Sequence, residues 1–255
     1  MRAQGSGLGA RITLLAPAAA ALVAVGLWQL AVVLTGATIF PSPFEVLRGL
    51  GELVERGVLL SYLGDSLFRV MAGYLAAVVV GIPLGISLGW FPLLGSAVNP
   101  VMQMLRPISP LAWMPLAVIW FGVSDVAPIF LIFLAALFPI VVASTNAVRS
   151  VPPMYLQAGR NFGLSTPRLI ARVVIPATLQ PIVVALRIAF GVAWLVLVAA
   201  EMIAVDSGLG YLIIDARNAG NRYDLVVGGM LLIGMVGLAI DALFRLAIPG
   251  NSRST

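Results

Sequence analysis

Between Arg69 and Arg106 the chain carries no charged residue. The hydrocarbon of a bilayer is about 30 Å thick and is crossed by roughly 20 helical residues, so a stretch this long must turn back on itself. Gly89-Trp90-Phe91-Pro92, followed by Gly95 and Asn99-Pro100, provides the place to turn. Long apolar runs broken by short polar ones continue to the C-terminus. Of 255 residues, 61% are hydrophobic and only 10% are charged, with a mean hydropathy of +1.07. A soluble domain carries roughly 25% charged residues, so this chain has too few to clothe a water-exposed globule.

The expected fold is all-α: one polytopic membrane helix bundle over residues 1–255. It has about six spans, near residues 12–36, 66–89, 98–121, 126–148, 177–204 and 225–246. The first run follows Arg2 and Arg11. It outlasts the apolar stretch of about 7–15 residues of a secretory signal and shows no clear cleavage site, so it is expected to persist as a first helix. Phe40-Pro41-Ser42-Pro43 opens a charged segment that reads as a short surface helix.

Six spans put both termini on one side. That side then holds Arg2, Arg11, Arg149, Arg160, Arg168, Arg172, Arg245 and Arg253, with no acid in its loops. The opposite side holds Arg48, Arg56, Arg69, Arg217 and Arg222 together with Glu45, Glu52, Glu55, Asp65, Asp125, Asp206, Asp215 and Asp224. Arginine favours the cytoplasmic side. Both termini and the loop 149–176 are therefore expected in the cytoplasm, in a multi-pass chain of the cell membrane.

Composition removes much chemistry. Cys and His are absent and all fifteen basic residues are Arg. There is no thiolate nucleophile, imidazole base or ordinary zinc site, and no Lys for a P-loop. No cofactor or metal site is expected within this chain. The arginines stand singly between apolar runs, which argues against nucleic-acid binding. A transporter or membrane scaffold without bond chemistry survives these exclusions.

The loop 149–176 reads as a short helix from about Pro153 to Phe162, with Gly163 at the C′ position. A second helix follows, capped by Ser165 or Thr166 and with Pro167 at its first position. Tyr155, Leu156 and Phe162 face the cytosol unless something covers them. Docking to a partner and lying on lipid headgroups are the two readings.

Gln157-Ala158-Gly159, with Gly163 four residues later and Pro176 thirteen beyond that, resembles the EAA loop of ABC importer permeases. The departures are Gln157 for the usual Glu, which removes a salt bridge from that position, and Gly159 for the second Ala. Further segments narrow the resemblance to the nitrate/sulfonate/taurine group: Pro41-Ser42-Pro43, Ser66-Leu67-Phe68-Arg69-Val70, Gly81-Ile82-Pro83-Leu84-Gly85, Leu105-Arg106-Pro107-Ile108-Ser109-Pro110-Leu111-Ala112-Trp113, Trp120-Phe121-Gly122, Phe138-Pro139-Ile140, Leu186-Arg187, Ala199-Ala200-Glu201-Met202, Gly208-Leu209-Gly210-Tyr211 and Asp241.

The resemblance implies a MetI-like, type I importer permease. Its coupling helix, carrying Tyr155, Leu156, Gln157, Ala158, Gly159, Arg160, Phe162 and Gly163, would seat in a cytoplasmic ATPase. It further implies two ATP-binding subunits holding ATP and Mg, and a periplasmic or lipid-anchored substrate-binding protein. A second copy of this chain is expected, since one chain offers one coupling loop. The implied solute is a small anion such as a sulfonate, nitrate or bicarbonate.

Ionisable groups in hydrocarbon cost about 2.5–3.5 kcal/mol on insertion scales and usually face the bundle interior. Arg106 is expected two turns into the third span, Arg187 near the middle of the fifth and Glu201 near its outer end. Arg106, Pro110, Trp113, Arg187 and Glu201 are the candidate path residues. The competing reading has each charge neutralised by Glu201, Asp241 or backbone carbonyls and serving only to lock helices. An ion-coupled transporter or channel would want a deep acidic relay and inverted repeats, neither of which is visible.

Overall fold

The computed structural model describes residues 6–36, 40–218 and 220–247; Arg2 and Arg253, which entered the charge count, lie outside them. Among the described residues every regular element is a helix. They form two compact units. One joins the chain up to Leu59 with Ile213–Leu231, and the other joins Leu60–Leu212 with the chain from Leu232 on.

The smaller unit is built on α1 (Ser6–Thr35) and α2 (Pro43–Glu55). Ser42 and Glu45 form a reciprocal capping box, in which the Glu45 N–H reaches Ser42 Oγ at 3.3 Å and the Ser42 N–H reaches Glu45 Oε2 at 2.7 Å. Pro43 stands in the first turn, where its missing N–H costs nothing. Trp28 donates to the Pro41 carbonyl at 3.1 Å and its ring lies 5.9 Å from that of Phe40, which fixes the approach to the cap.

The larger unit begins within α3 (Val58–Trp90) and continues with α4 (Pro92–Leu105), α5 (Met114–Phe121) and α6 (Val126–Arg149). Gly73, Ala77, Gly81, Gly85 and Gly89 recur every fourth residue of α3 and lie against α6. A Cβ at Gly85 would sit 2.5 Å from Ser144 Cβ and 2.7 Å from the Val141 carbonyl oxygen; one at Gly89 would sit 2.7 Å from Val148 Cβ. The stripe is a small-residue seam that lets two membrane helices touch along their backbones, where lipid supplies no hydrophobic drive of its own.

A core of Val70, Tyr74, Ile132, Ile140, Phe190, Trp194 and Leu197 fills the space beside that seam. Tyr74 packs edge-on against Phe190 at 5.1 Å and donates its hydroxyl to the Leu186 carbonyl. A second core joins Met114, Ala117, Leu131, Ala135, Val196 and Ala200.

Among the described residues four helices are long and apolar enough to cross a membrane: α3, α6, the run Thr166–Ala204 and α11 (Tyr223–Ala247). A fifth is obtained when α4 and the run Pro110–Phe121 are counted together, although these are bent by 82°. In α1, Ala19–Thr35 is apolar but shorter. The region 98–121, read as one span, is thus two helices. Pro107 offers no N–H to carry the ladder past Leu105, and Pro110 opens the next turn, where a missing N–H costs nothing. Only short turns bridge the gap, from Ile108 N–H to the Leu105 carbonyl and from Ala112 N–H to the Ser109 carbonyl.

Replacing Gly85 with leucine should wedge α3 from α6. We expect a loss of at least 1–3 kcal/mol, as for overpacked cores, seen as a lowered melting temperature in detergent. Gly85→Ala should give a smaller shift in the same direction.

Candidate functional site

Among the described residues three ionic clusters organise the polar side chains, and each brings together residues far apart in sequence. In the smaller unit Arg222 bonds Glu52 at 2.8 Å and Asp224 at 2.8 Å. Glu52 also pairs with Arg56 one turn on. The Arg222 guanidinium holds the Glu52 carboxyl below its ordinary range, and the two acids raise Arg222 in return.

The second cluster is enclosed. Glu201, on α9 (Ile175–Ala204), and Arg69 have 0% and 3% of their side chains exposed and meet at 2.9 Å. Ser66 donates its hydroxyl to both oxygens of Glu201 at 2.8 Å. The Gly210 N–H reaches Glu201 Oε2 at 2.9 Å, and the Leu209 N–H reaches Ser66 Oγ at 2.9 Å. These two amides open α10 (Leu209–Asn218), so a carboxylate from another helix receives the positive end of this one. Arg69 completes its bonding with Ser207 and with Asp125, whose side chain is 55% exposed. Gly208 (φ +104°) lies against Glu201 and Arg69, and a side chain there would strike both.

The third cluster pairs Arg187 with Asp241 through two bonds of 2.6 and 2.9 Å. Arg245, one turn further along α11, adds a second guanidinium to the same carboxylate at 2.8 Å. Arg187 and Glu201 share a helix without meeting, and each has its own partner on another one.

These findings place the candidate path residues. Glu201 is walled inside the packing of its own chain, and Arg187 is neutralised by Asp241. Arg106 stands at the C-terminal end of α4, in the break rather than two turns into a span; it is exposed and bonded to no carboxylate among the described residues. Pro110 and Trp113 form the 3-10 turn that starts the helical run to Phe121, with Trp113 packed in part on the second core. Arg69, Ser66, Asp125 and Ser207 were not among the sequence candidates. Arg69 reads as an outer-loop charge because it borders the apolar run, and only the return of α9 and α10 encloses it.

The loop 149–176 carries α7 (Pro153–Asn161). Gly163, at φ +73°, ends it in a Schellman motif: Gly163 N–H bonds the Arg160 carbonyl and Leu164 N–H bonds the Gly159 carbonyl. Ser165 caps the next turn, α8 (Thr166–Leu169), without a side-chain bond, and Pro167 is second rather than first in it. That turn is not separate from the following span. It runs through a five-residue π segment, Ile170–Val174, into α9, making one helix of 39 residues. The wide turn stands just ahead of Pro176, where the regular ladder loses a donor in any case.

Leu156 and buried Gly159 face this helix, and a Cβ at Gly159 would collide with Leu169, so the glycine lets α7 sit close. Gln157, Ala158 and Arg160 are exposed, as are Met154, Tyr155 and Phe162, the last at 87%. A cleft of about 530 Å³ lies beside Tyr155, bounded by Pro152, Arg172 and Pro176.

A family profile described as binding-protein-dependent transport system inner membrane component matches residues 81–252. A chain of Methanocaldococcus jannaschii, named as an ABC transporter permease, is 36% identical over 231 residues, covering 86% of this chain and 84% of that one. The nitrate import permease of Leptolyngbya laminosa is 35% identical over 236 residues, covering 89% and 83%. The taurine transport system permease of Escherichia coli is 35% identical over 208 residues, covering 79% and 74%. Among solved structures, a chain of the inward-facing MetNI methionine ABC transporter superposes with a TM-score of 0.60 at 19% identity, covering 75% of this chain and 96% of that one.

Two outcomes follow from the clusters. Glu201→Ala leaves a buried guanidinium against one half-exposed acid and should cost about 3–5 kcal/mol, read as loss of monodisperse protein on size exclusion; Asp125→Asn should be milder. The Glu52–Arg222 contribution is complete above the ordinary carboxylate range and fades as pH falls through the lowered Glu52 value. Hydrogen exchange of α2 should accelerate over that acid window, and Glu52→Gln should flatten the change.

Proposed function

Because this chain belongs to the binding-protein-dependent transport system inner membrane components, as the membrane subunit of an ABC importer, we propose that it conducts a small anion past Arg106. The observation that carries this reading is a sorting of intramembrane arginines. Arg69 and Arg187 each have carboxylates at bonding distance, whereas Arg106 has none among the described residues. It lies in a broken span, four residues before the N-terminal end of the run Pro110–Phe121. Broken helices place such ends beside solute near the midplane, and a helix N-terminus favours negative charge. The nitrate and taurine permeases among its relatives support a nitrate- or sulfonate-like solute.

In this reading α1 is the first of six spans, both termini lie in the cytoplasm and two copies of the chain enclose the path. A substrate-binding protein delivers the solute from outside. Two ATP-binding subunits, which hold ATP and Mg, grip the coupling helix α7 from within. ATP binding draws them together and pulls α7, which is seated through Gly159 on the 39-residue helix. At 1.5 Å per residue that helix is about 58 Å long, and its far end holds Glu201, Arg69 and α10. A pull at the inner elbow is thus delivered to the outer end of the bundle as a rigid displacement. Each ligand and nucleotide state contributes only its difference in affinity for the inward and outward arrangements.

Uptake by the assembled importer in proteoliposomes tests the role of Arg106. Arg106→Gln should reduce solute uptake by about 10- to 100-fold, at constant complex yield, and Arg106→Lys should retain a large share. The double variant Arg187→Met/Asp241→Met should keep transporting, since it removes both halves of a neutralised pair. Undiminished uptake by Arg106→Gln, or abolished uptake in a folded Arg187/Asp241 double variant, would move the path elsewhere.

A further inference from the structure

The arginines of the inner elbow have no acidic partner among the described residues, a condition they share with Arg48, Arg106 and Arg217. Arg56, Arg69, Arg187, Arg222 and Arg245 all bond carboxylates of this chain. Arg160, Arg168 and Arg172 are exposed and bond none among the described residues, and Arg149 reaches only the Leu88 carbonyl, at 3.4 Å. From Arg149 to Pro176 the sequence has four arginines and no acid, since Gln157 stands at the position where a carboxylate is usual.

These charges flank an apolar ridge. Met154, Ala158 and Phe162 follow one another at four-residue steps, with Tyr155 beside them, and the three large side chains are half to nine-tenths exposed. An apolar centre within a charged rim is the anatomy of a protein interface. The cleft of about 530 Å³ next to Tyr155 has Arg172 as the one charged residue on its wall. A flat lipid surface makes no use of such a cleft, whereas a protein with a projecting acidic side chain does.

We infer that the groove of the ATP-binding subunit which receives α7 is rimmed by carboxylates, one of which enters the cleft against Arg172. This rests on the reading of α7 as the docking helix and adds the sign of the partner's charge. Complementary rims set association rate and salt dependence more than they set the apolar contact at the centre. Attraction between exposed charges fades as the Debye length shrinks with salt.

The test uses the full chain in nanodiscs of phosphatidylcholine and the ATP-binding subunit that co-purifies with it, stripped off and rebound. Affinity should fall about tenfold between low and high salt. The double variant Arg160→Glu/Arg168→Glu should weaken low-salt binding at least about tenfold and flatten the salt dependence, and Arg172→Glu should act in the same direction. Lysine at these positions should preserve binding. Arg48→Glu, an exposed arginine of α2, should change nothing.

Binding indifferent to both salt and charge reversal, yet abolished by Phe162→Ala, would overturn the acidic rim and leave α7 as the docking helix. Binding untouched by Phe162→Ala as well would overturn both readings. A charge-reversal effect seen only when phosphatidylglycerol is added would assign the arginines to lipid headgroups and sink the inference.

Discussion

A guanidinium in hydrocarbon must be answered by an anion or by water, because the bilayer offers neither. That constraint shapes this bundle more than any apolar contact. Arg69 is met by Glu201 and Asp125, and Glu201 in turn accepts from Ser66 and from the first turn of α10. The arrangement ties α3, the start of α6, α9 and α10 together in one bonded group. Any motion of this end of the bundle must carry these elements jointly or break bonds that have no replacement in lipid. The exposed arm, Asp125, is the one that can exchange its partner for water.

The opposite end depends on close approach. α7 is short, and its hold on the bundle comes from Gly159 and Leu156 pressed to the helix that starts at Thr166. A turn of wider pitch, Ile170–Val174, stands within that helix just ahead of Pro176.

Much of this was legible from residue order. The apolar runs set the helical class, and Gly163 marked the end of α7. The motifs around Ser66, Glu201 and Gly208 each stood out singly. That they form one site was not legible, because hydrogen bonds between residues 135 or more apart leave no local pattern. Arg69 illustrates the difficulty: a charge at the edge of an apolar run looks the same whether it points to water or into a pocket. The region 98–121 reads as one span, and the 82° bend within it, with Arg106 exposed at the break, is seen only in the structure.

Hydropathy and charge spacing are properties of the chain itself, so they decided the solvent, the class of fold and the absence of thiol, imidazole and P-loop chemistry. Which arginines meet a carboxylate and which is left without one depends on distances between helices. Those distances are set by side-chain volume and by the pairing of buried charge, quantities that exist only once the helices have met.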